Sequence, residues 1–188
     1  MRVYEVTYCH DHRDIDCRSL EEEREFVGRF DDTPFCGQSL KEHWGPLHMV
    51  SPEDEANPLT DFVFIGVGAF AFSTTLLPTV TPLLEDFGEL LPLTINDRDF
   101  CVFNITNIQD IIDHSNADFR YASDGRIMGI VTAAVCIGSL TRNQFFKLPL
   151  TSTSSYLAED SSKGDSFREL YEEHGFTGLR FKEIATSL

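Results

Sequence analysis

Cysteine, histidine and aspartate side chains cluster near the start of the sequence, where they could ligate a metal ion. The stretch Cys9-His10-Asp11-His12 is followed by Cys17, and His43 and His48 come later. Zinc sites space their ligands in a few recurring patterns, and this stretch matches none of them. We therefore expect a chance cluster and no metal site.

Two carboxylates three residues apart, Asp110 and Asp113, could serve acid–base chemistry. They fall in a stretch that we predict to be helical, which would place both side chains on one helical face. General acid–base catalysis would require one of them to lie in a cleft with a raised pKa. The alternative, which we favour, is that both simply favour a helix start on an exposed face.

Motifs that mark common catalytic and nucleotide-binding sites are missing from the sequence. It contains no GxGxxG, no phosphate-binding GxxxxGK, no GxSxG and no HExxH. Five cysteines and six histidines would allow many Cys–His pairs, so their number points to no particular nucleophile. We expect no enzyme and no cofactor. The alternative is a small-ligand-binding regulatory domain or an uncharacterised enzyme that uses Gly66–Ala69 together with Asp110 and Asp113.

Acidic residues dominate the charge of the 188-residue chain. Asp and Glu number 31 against 15 Lys and Arg, which gives a net charge of -16, divided equally between residues 1–60 and 61–188. Phosphate groups and anionic lipids both bind basic surfaces, so we expect neither nucleic acid nor a membrane as partner. The charge favours either solubility alone or attraction of a basic protein.

Three groups of acids are our candidates for contacts with a basic partner. The alternative for each group is an ordinary solvated face. The first group lies on a predicted short helix, and the other two lie in an irregular segment: Glu21, Glu22, Glu23 and Glu25; Asp31 and Asp32; Glu53, Asp54 and Glu55.

The pattern of short strands and capped helices predicts an α+β fold with a mainly antiparallel sheet and about three short helices, in a single domain. Residues 1–60 are predicted to hold a strand over 1–8, an acidic helix opened by the capping box Ser19–Glu22, and an irregular segment anchored by Phe35 and Trp44. Residues 61–188 are predicted to form the α+β core. An odd number of cysteines without CxxC and the lack of a signal peptide indicate a cytoplasmic protein.

Within the core we predict a hairpin, three helices and a long antiparallel strand pair. A faint echo of residues 70–73 and 87–88 in residues 156–159 and 174–175 indicates two strand-helix-strand units, with a chance match as the alternative. The predicted elements are a hairpin of 90–95 with 99–104, helices over 82–87, 106–113 and 166–174, a strand pair of 126–138 with 143–150, and a last strand at 179–181. The helix at 106–113 rests on a capping box and on Ile108, Ile111 and Ile112 at helical spacing.

Several segments, in order, resemble a family of bacterial polymorphic-toxin immunity proteins, immunity family eleven, formerly a domain of unknown function. The resemblance spans residues 61–184. It is carried by Phe72-Ser73, Gly88–Leu93, Phe103–Thr106 with Asp110 and Asp113, Phe145–Leu148, and Phe167 through His174–Phe181.

The resemblance implies a cytoplasmic protein without catalytic activity that binds a cognate toxin and blocks it. The matching residues themselves indicate scaffold rather than a binding surface. Gly88, Gly175 and Gly178 are expected to satisfy backbone requirements, and leucine and phenylalanine positions are expected in the core. The resemblance therefore does not locate the toxin-binding face.

Overall fold

A computed structural model describes residues 1–8, 16–17, 20–28, 35–45, 47–51, 59–65, 68–125, 127–149 and 154–186. It confirms an α+β fold with mostly antiparallel strands. The strands are β1 (Arg2–Tyr8), β2 (Asp16–Cys17), β3 (His48–Val50), β4 (Phe62–Phe64), β5 (Phe70–Ser73), β6 (Gly88–Ile95), β7 (Arg98–Ile105), β8 (Asp118–Tyr121), β9 (Ile127–Thr132), β10 (Gln144–Phe146), β11 (Ser155–Glu159) and β12 (Leu179–Thr186). The α-helices are α1 (Leu20–Gly28), α2 (Leu77–Leu84) and α3 (Phe167–Glu173).

The strands form two main sheets and one separate hairpin. One sheet has the order β10-β11-β1-β12, and the other has the order β2-β3-β6-β7-β5-β4. Strands β8 and β9 pair only with each other among the described strands. The first strand of the chain lies between β11 and β12, so the two ends of the chain share one sheet.

Two units of the fold repeat, as the sequence echo predicted. In the first, β4-β5-α2-β6-β7, the strand order across the sheet is β4-β5-β7-β6. In the second, β10-β11-α3-β12 is completed by β1, and the order β10-β11-β1-β12 is equivalent. The second unit therefore takes its last strand from the N-terminal end of the chain.

Alternation along each strand divides the apolar residues between a central core and two outer cores. On β7, Cys101 and Phe103 enter the central core, while Phe100 and Val102 face an outer core. The central core also contains residues of both sheets and both repeat helices, among them Phe62, Phe70, Phe72, Val80, Leu84, Phe145, Leu157, Phe167 and Tyr171. The two repeats therefore pack on one shared interior.

Each outer core is covered by a segment outside the repeats. Residues 35–45 cover the six-stranded sheet, where Phe35 is buried and the Trp44 Nε1–H donates to the Pro92 carbonyl at 2.8 Å. This agrees with the predicted anchoring. Residues 111–125 and 127–140, which include β8 and β9, cover the outer face of the four-stranded sheet.

The predicted helix over 106–113 is wrong. The backbone of Asn107 and Gln109 is instead bonded to Lys147, through Lys147 N–H to Asn107 O and Gln109 N–H to Lys147 O, each 2.9 Å long. Ile111 and Ile112 are buried, whereas Ile108 is 48% exposed. A local capping pattern was outweighed by pairing with a distant part of the chain, and Asp110 and Asp113 therefore share no helical face.

Two further expectations were misplaced. Strand β9 pairs with β8, and β10 pairs with β11, so the predicted pairing of 126–138 with 143–150 is wrong. A 3-10 turn at Ile137–Ser139 and a bridge between Val135 and Ile112 direct the chain away from that pairing.

The helix predicted over 82–87 also begins and ends earlier, as α2 over Leu77–Leu84. Pro78 occupies its first turn, where a missing N–H costs little. Gly88 begins β6. It is needed there because an added Cβ would lie 2.2 Å from the Asn104 carbonyl oxygen.

Candidate functional site

The predicted acidic contacts on α1 face solvent. Glu21, Glu23 and Glu25 are exposed, while Phe26 on the same helix packs edge-on against Trp44 with ring centroids 5.7 Å apart. The helix is therefore fixed to the segment that covers the six-stranded sheet, with its acids outward. The Glu22 side chain and the whole of Asp31, Asp32, Glu53, Asp54 and Glu55 lie outside the described residues.

The two carboxylates considered for acid–base chemistry lie in an irregular segment. Asp113 accepts hydrogen bonds from the Asn116 side chain at 2.7 Å and from the Ser115 N–H at 3.0 Å. These hydrogen bonds hold the pKa of Asp113 below its ordinary value. A general acid needs a shift in the opposite direction. Asp113 therefore stabilises a turn, and Asp110 lies at the surface.

The stretch Gly66–Ala69 contributes a carbonyl group to a buried pair of hydrogen bonds that connects the two sheets. Gly68, with φ of 69°, is described, whereas Gly66 is not. The Gly68 carbonyl oxygen accepts hydrogen bonds from the Lys147 Nζ at 3.0 Å and from the Ser155 hydroxyl at 2.5 Å. Both donors are buried and belong to the other repeat, so these hydrogen bonds tie the β4–β5 turn to the four-stranded sheet.

Burial lowers the pKa of Lys147 to about 8, although a nearby Cys36 side chain acts in the opposite direction. Because the folded value lies below the ordinary 10.5, the unfolded chain holds this proton more tightly between these two values. We expect wild-type stability to rise from pH 8 to pH 10.5 relative to Lys147→Met, by up to about 3 kcal/mol. Urea unfolding of both proteins across this range measures the difference, and a difference that stays constant with pH would contradict it.

Glu89 is a second carboxylate in a polar network. Burial acts to raise its pKa, but hydrogen bonds from the Ser39 hydroxyl, the Leu40 N–H and the Asn104 amide hold the pKa below its ordinary value. The Leu40 and Asn104 bonds are 2.9 and 3.0 Å long. The network fastens residues 38–40 to the six-stranded sheet, which gives Glu89 a structural role.

A cavity of about 240 Å³ lies between the end of α2, strands β10 and β11, and the start of α3. Glu159 lines it with a side chain that is only 5% exposed. Its Oε1 accepts from the Arg168 N–H at 2.9 Å, but its Oε2 accepts no hydrogen bond. The Arg168 Nε lies 3.7 Å from this oxygen and forms an ion pair with it, so the buried carboxylate has its countercharge within the protein.

The β8–β9 hairpin exposes apolar side chains. Tyr121, Met128 and Val131 are 59%, 53% and 70% exposed. On the other side of the hairpin, Phe119 and Ile130 pack on the outer core of the four-stranded sheet. The hairpin is therefore held firmly by its inner residues while its outer residues have no cover within the described chain.

Neither the cavity nor the hairpin was predicted from the sequence. Glu159 was not distinguished from the other acids, because its burial depends on packing between helix α3 and strand β11. The hairpin strands are interrupted by irregular register between Asp118 and Phe119 and between Arg120 and Tyr121. Such irregularities disturb the alternation by which a short strand is recognised. The apolar, β-branched run at 127–132 did mark a strand, but the sequence does not show which of its residues are exposed.

Two further features are absent from the described part of the chain. No group of three or more His, Cys, Asp or Glu side chains is placed there to hold a metal ion. The histidine cluster at residues 10–12 lies outside the described ranges. None of the helices in these ranges has the length and apolar character that a membrane span requires.

Comparison with known proteins assigns neither a family nor an activity. No protein-family model matches the sequence, and no curated protein is significantly similar to it. The resemblance to the immunity family therefore remains a prediction.

Proposed function

We propose that this chain is a non-catalytic bacterial immunity protein that binds a cognate, basic protein toxin in the cytoplasm and neutralises it. The observation that carries the proposal is the β8–β9 hairpin with its exposed apolar residues. The net charge of -16 indicates that the partner is basic. The family resemblance indicates that the partner is a toxin.

The hairpin has the features of a protein-binding element. Aromatic residues and methionine are enriched in interface cores, and Tyr121 and Met128 provide both types at the surface. Strands β8 and β9 also leave an outer edge each without a described neighbour in either sheet. A strand of a partner can pair with such an edge through its main chain.

Acidic side chains next to the hairpin suit a basic partner. Asp118 and Asp124 are exposed on or beside its strands, although Arg120 adds one positive charge. The exposed acids of α1 form a separate negative surface on the segment that covers the six-stranded sheet. Complementary charge steers encounter and raises the association rate more than it raises the final affinity.

A non-catalytic role is supported by the positions of the carboxylates. Asp113 holds a turn, and Glu89 holds a covering segment against the sheet. Both have pKa values below the ordinary range, which suits permanent acceptors rather than proton donors. Binding alone is then sufficient, because a protein seated on the toxin's active cleft excludes its substrate.

The acids of α1 are expected to act on the rate of association. Replacement of Glu21, Glu23 and Glu25 by lysine should lower the association rate constant about tenfold or more at low salt, with a smaller effect at high salt. Stopped-flow mixing at several ionic strengths measures both. Reversal extended to Asp31, Asp32, Glu53, Asp54 and Glu55 should deepen the loss, and full binding by that protein would contradict a role for these acids.

The proposal itself is tested with the protein encoded by the neighbouring gene. An immunity protein should be encoded beside its toxin, should capture that toxin in a pull-down, and should restore growth when both are expressed together. Failure to capture the neighbouring product and to protect cells from it would overturn the proposal.

A further inference from the structure

A second cavity, of about 600 Å³, lies on the six-stranded sheet where residues 35–45 meet strands β6 and β7. Its exposed lining is mostly apolar. Three buried residues of the outer core and one half-buried ring contribute to it: Leu47, Leu93, Phe100 and Trp44. Small-molecule sites occupy cavities of this size with mostly apolar walls. The cavity therefore has the volume and the surface of a ligand site.

The Trp44 ring in the lining is held in place by the rest of the fold. Its Nε1–H donates to the Pro92 carbonyl at 2.8 Å. The rings of Phe26 and Phe35 pack edge-on against it, with centroids 5.7 and 6.2 Å from the Trp44 centroid. A ligand would therefore meet a wall that is already ordered, and binding would cost little conformational entropy there.

The polar groups around the cavity have partners within the chain. The Thr94 N–H donates to the Leu47 carbonyl at 3.0 Å, and the Thr74 hydroxyl donates to the Asp99 carbonyl at 3.2 Å. Within the described part of the chain, no lining residue has a buried side-chain polar atom that lacks a hydrogen bond. A ligand would therefore gain mainly from apolar contact and stacking, since no buried group calls for a polar one.

The composition of the lining favours an aromatic ligand that is not an anion. Trp44 and Phe100 both line the cavity, and contact between aromatic rings contributes beyond the burial of apolar area. The described lining includes Asp99 and contains no lysine or arginine. An anion would find no countercharge there, in a chain whose net charge is -16.

We infer that this cavity binds a small aromatic molecule, uncharged or cationic, whose ring lies against Trp44 and Phe100. The volume of the cavity favours a free molecule, because it falls in the range of small-molecule sites. The inference goes beyond the proposed function and does not depend on it. The β8–β9 hairpin packs on the four-stranded sheet, whereas this cavity lies on the six-stranded sheet.

Fluorescence titration tests the site, because Trp44 is the only tryptophan of the sequence. Phenylbutylamine and phenylbutanol should each change its emission saturably, with dissociation constants in the millimolar range or below. Cyclohexylbutylamine, which lacks the aromatic ring, should bind about threefold more weakly than phenylbutylamine. The anion phenylbutyrate should bind about fivefold more weakly than phenylbutanol. No saturable change with phenylbutanol, or equal binding by either weaker ligand, would overturn the inference.

Two measurements locate the bound ring. Saturating phenylbutanol should protect Trp44 from quenching by acrylamide, and unchanged quenching would overturn the inference. Thr94→Phe adds a ring to the lining and should weaken phenylbutanol binding at least fivefold. Thr132→Phe, on β9 and outside the lining, is the matched control and should bind normally. Unchanged binding by a folded Thr94→Phe protein would overturn the inference, and the quenching measurement remains decisive if that variant does not fold.

A protein partner is the alternative occupant of the cavity. If phenylbutanol displaces the captured toxin, the cavity belongs to the toxin interface and the inference of a free ligand is overturned. A toxin complex that persists at saturating phenylbutanol supports the inference. Because the fluorescence titration uses the chain alone, its failure would leave the proposed toxin binding unaffected.

Discussion

Replacement of Gly178 by alanine is expected to lower the free energy of unfolding by about 3 kcal/mol or more. Gly178 has φ of 106°, and a Cβ on it would lie 1.8 Å from the Phe62 carbonyl oxygen. The obstacle is backbone, so it cannot rotate away. A loss of this size is a large share of a typical domain's total stability. Thermal and urea unfolding measure the loss.

The close approach at Gly178 joins the two sheets. Just before it, the Thr177 carbonyl accepts from the Phe62 N–H at 3.0 Å, and Asp61 accepts from the Thr177 N–H at 2.9 Å. Strand β4 of one sheet is thereby held against the loop that enters β12 of the other. A side chain at position 178 would separate these segments and strain both repeats together.

Gly175→Ala is the matched control for this prediction. Gly175 also has a positive φ, 64°, where it ends helix α3, but a Cβ there would meet no atom within 4 Å. The cost should therefore be the conformational penalty alone, about 1 kcal/mol. Equal losses for the two variants would show that close approach contributes nothing at Gly178.

These glycines show how far the sequence predicts the scaffold. Strand β1, helix α1, the β6–β7 hairpin and helix α3 are formed by local patterns, and all four follow their predicted positions closely. The same patterns predicted that Gly175 and Gly178 answer backbone needs. They could not predict that only Gly178 lies against another backbone segment, because that segment contains Phe62, more than a hundred residues away in the chain.

Long-range pairing also explains the main error. Thr106–Gln109 has a capping-box pattern, yet its backbone groups bond to Lys147 and the Asn107 amide donates to the Phe145 carbonyl at 2.7 Å. A capping box stabilises a helix by about 1 kcal/mol, which several strand-like hydrogen bonds and burial of two isoleucines can exceed. The predicted placement of Asp110 and Asp113 on one helical face was wrong for the same reason.

The candidate site was predictable only in part. The sequence places the α1 acids correctly on a helix, and their exposure follows from their charge. The cavity around Glu159 requires two helices and two strands to meet, and no local pattern reports such a meeting. Nothing in the neighbouring sequence distinguishes Glu159 from the other acids, and only its burial in the folded chain is unusual.

The largest functional effect is expected from lysine at Met128 and Val131. These side chains are more than half exposed, so their replacement should change stability by less than about 0.5 kcal/mol. On the proposed interface, however, the variant loses apolar contacts and sets two cations against a basic toxin. We expect affinity for the captured toxin to fall at least a hundredfold, about 3 kcal/mol, with loss of growth rescue.

Val50→Lys is the control that tests whether the position of the new lysine matters or only the change in net charge. Val50 is an exposed valine, 37% accessible, on β3 of the six-stranded sheet, and its replacement changes the net charge in the same sense as Val131→Lys. If the hairpin binds the toxin, Val131→Lys alone should weaken the complex much more than Val50→Lys does. Comparable, small losses from both would mean that only the overall negative charge matters, and the apolar face of β8–β9 would then have no part in binding.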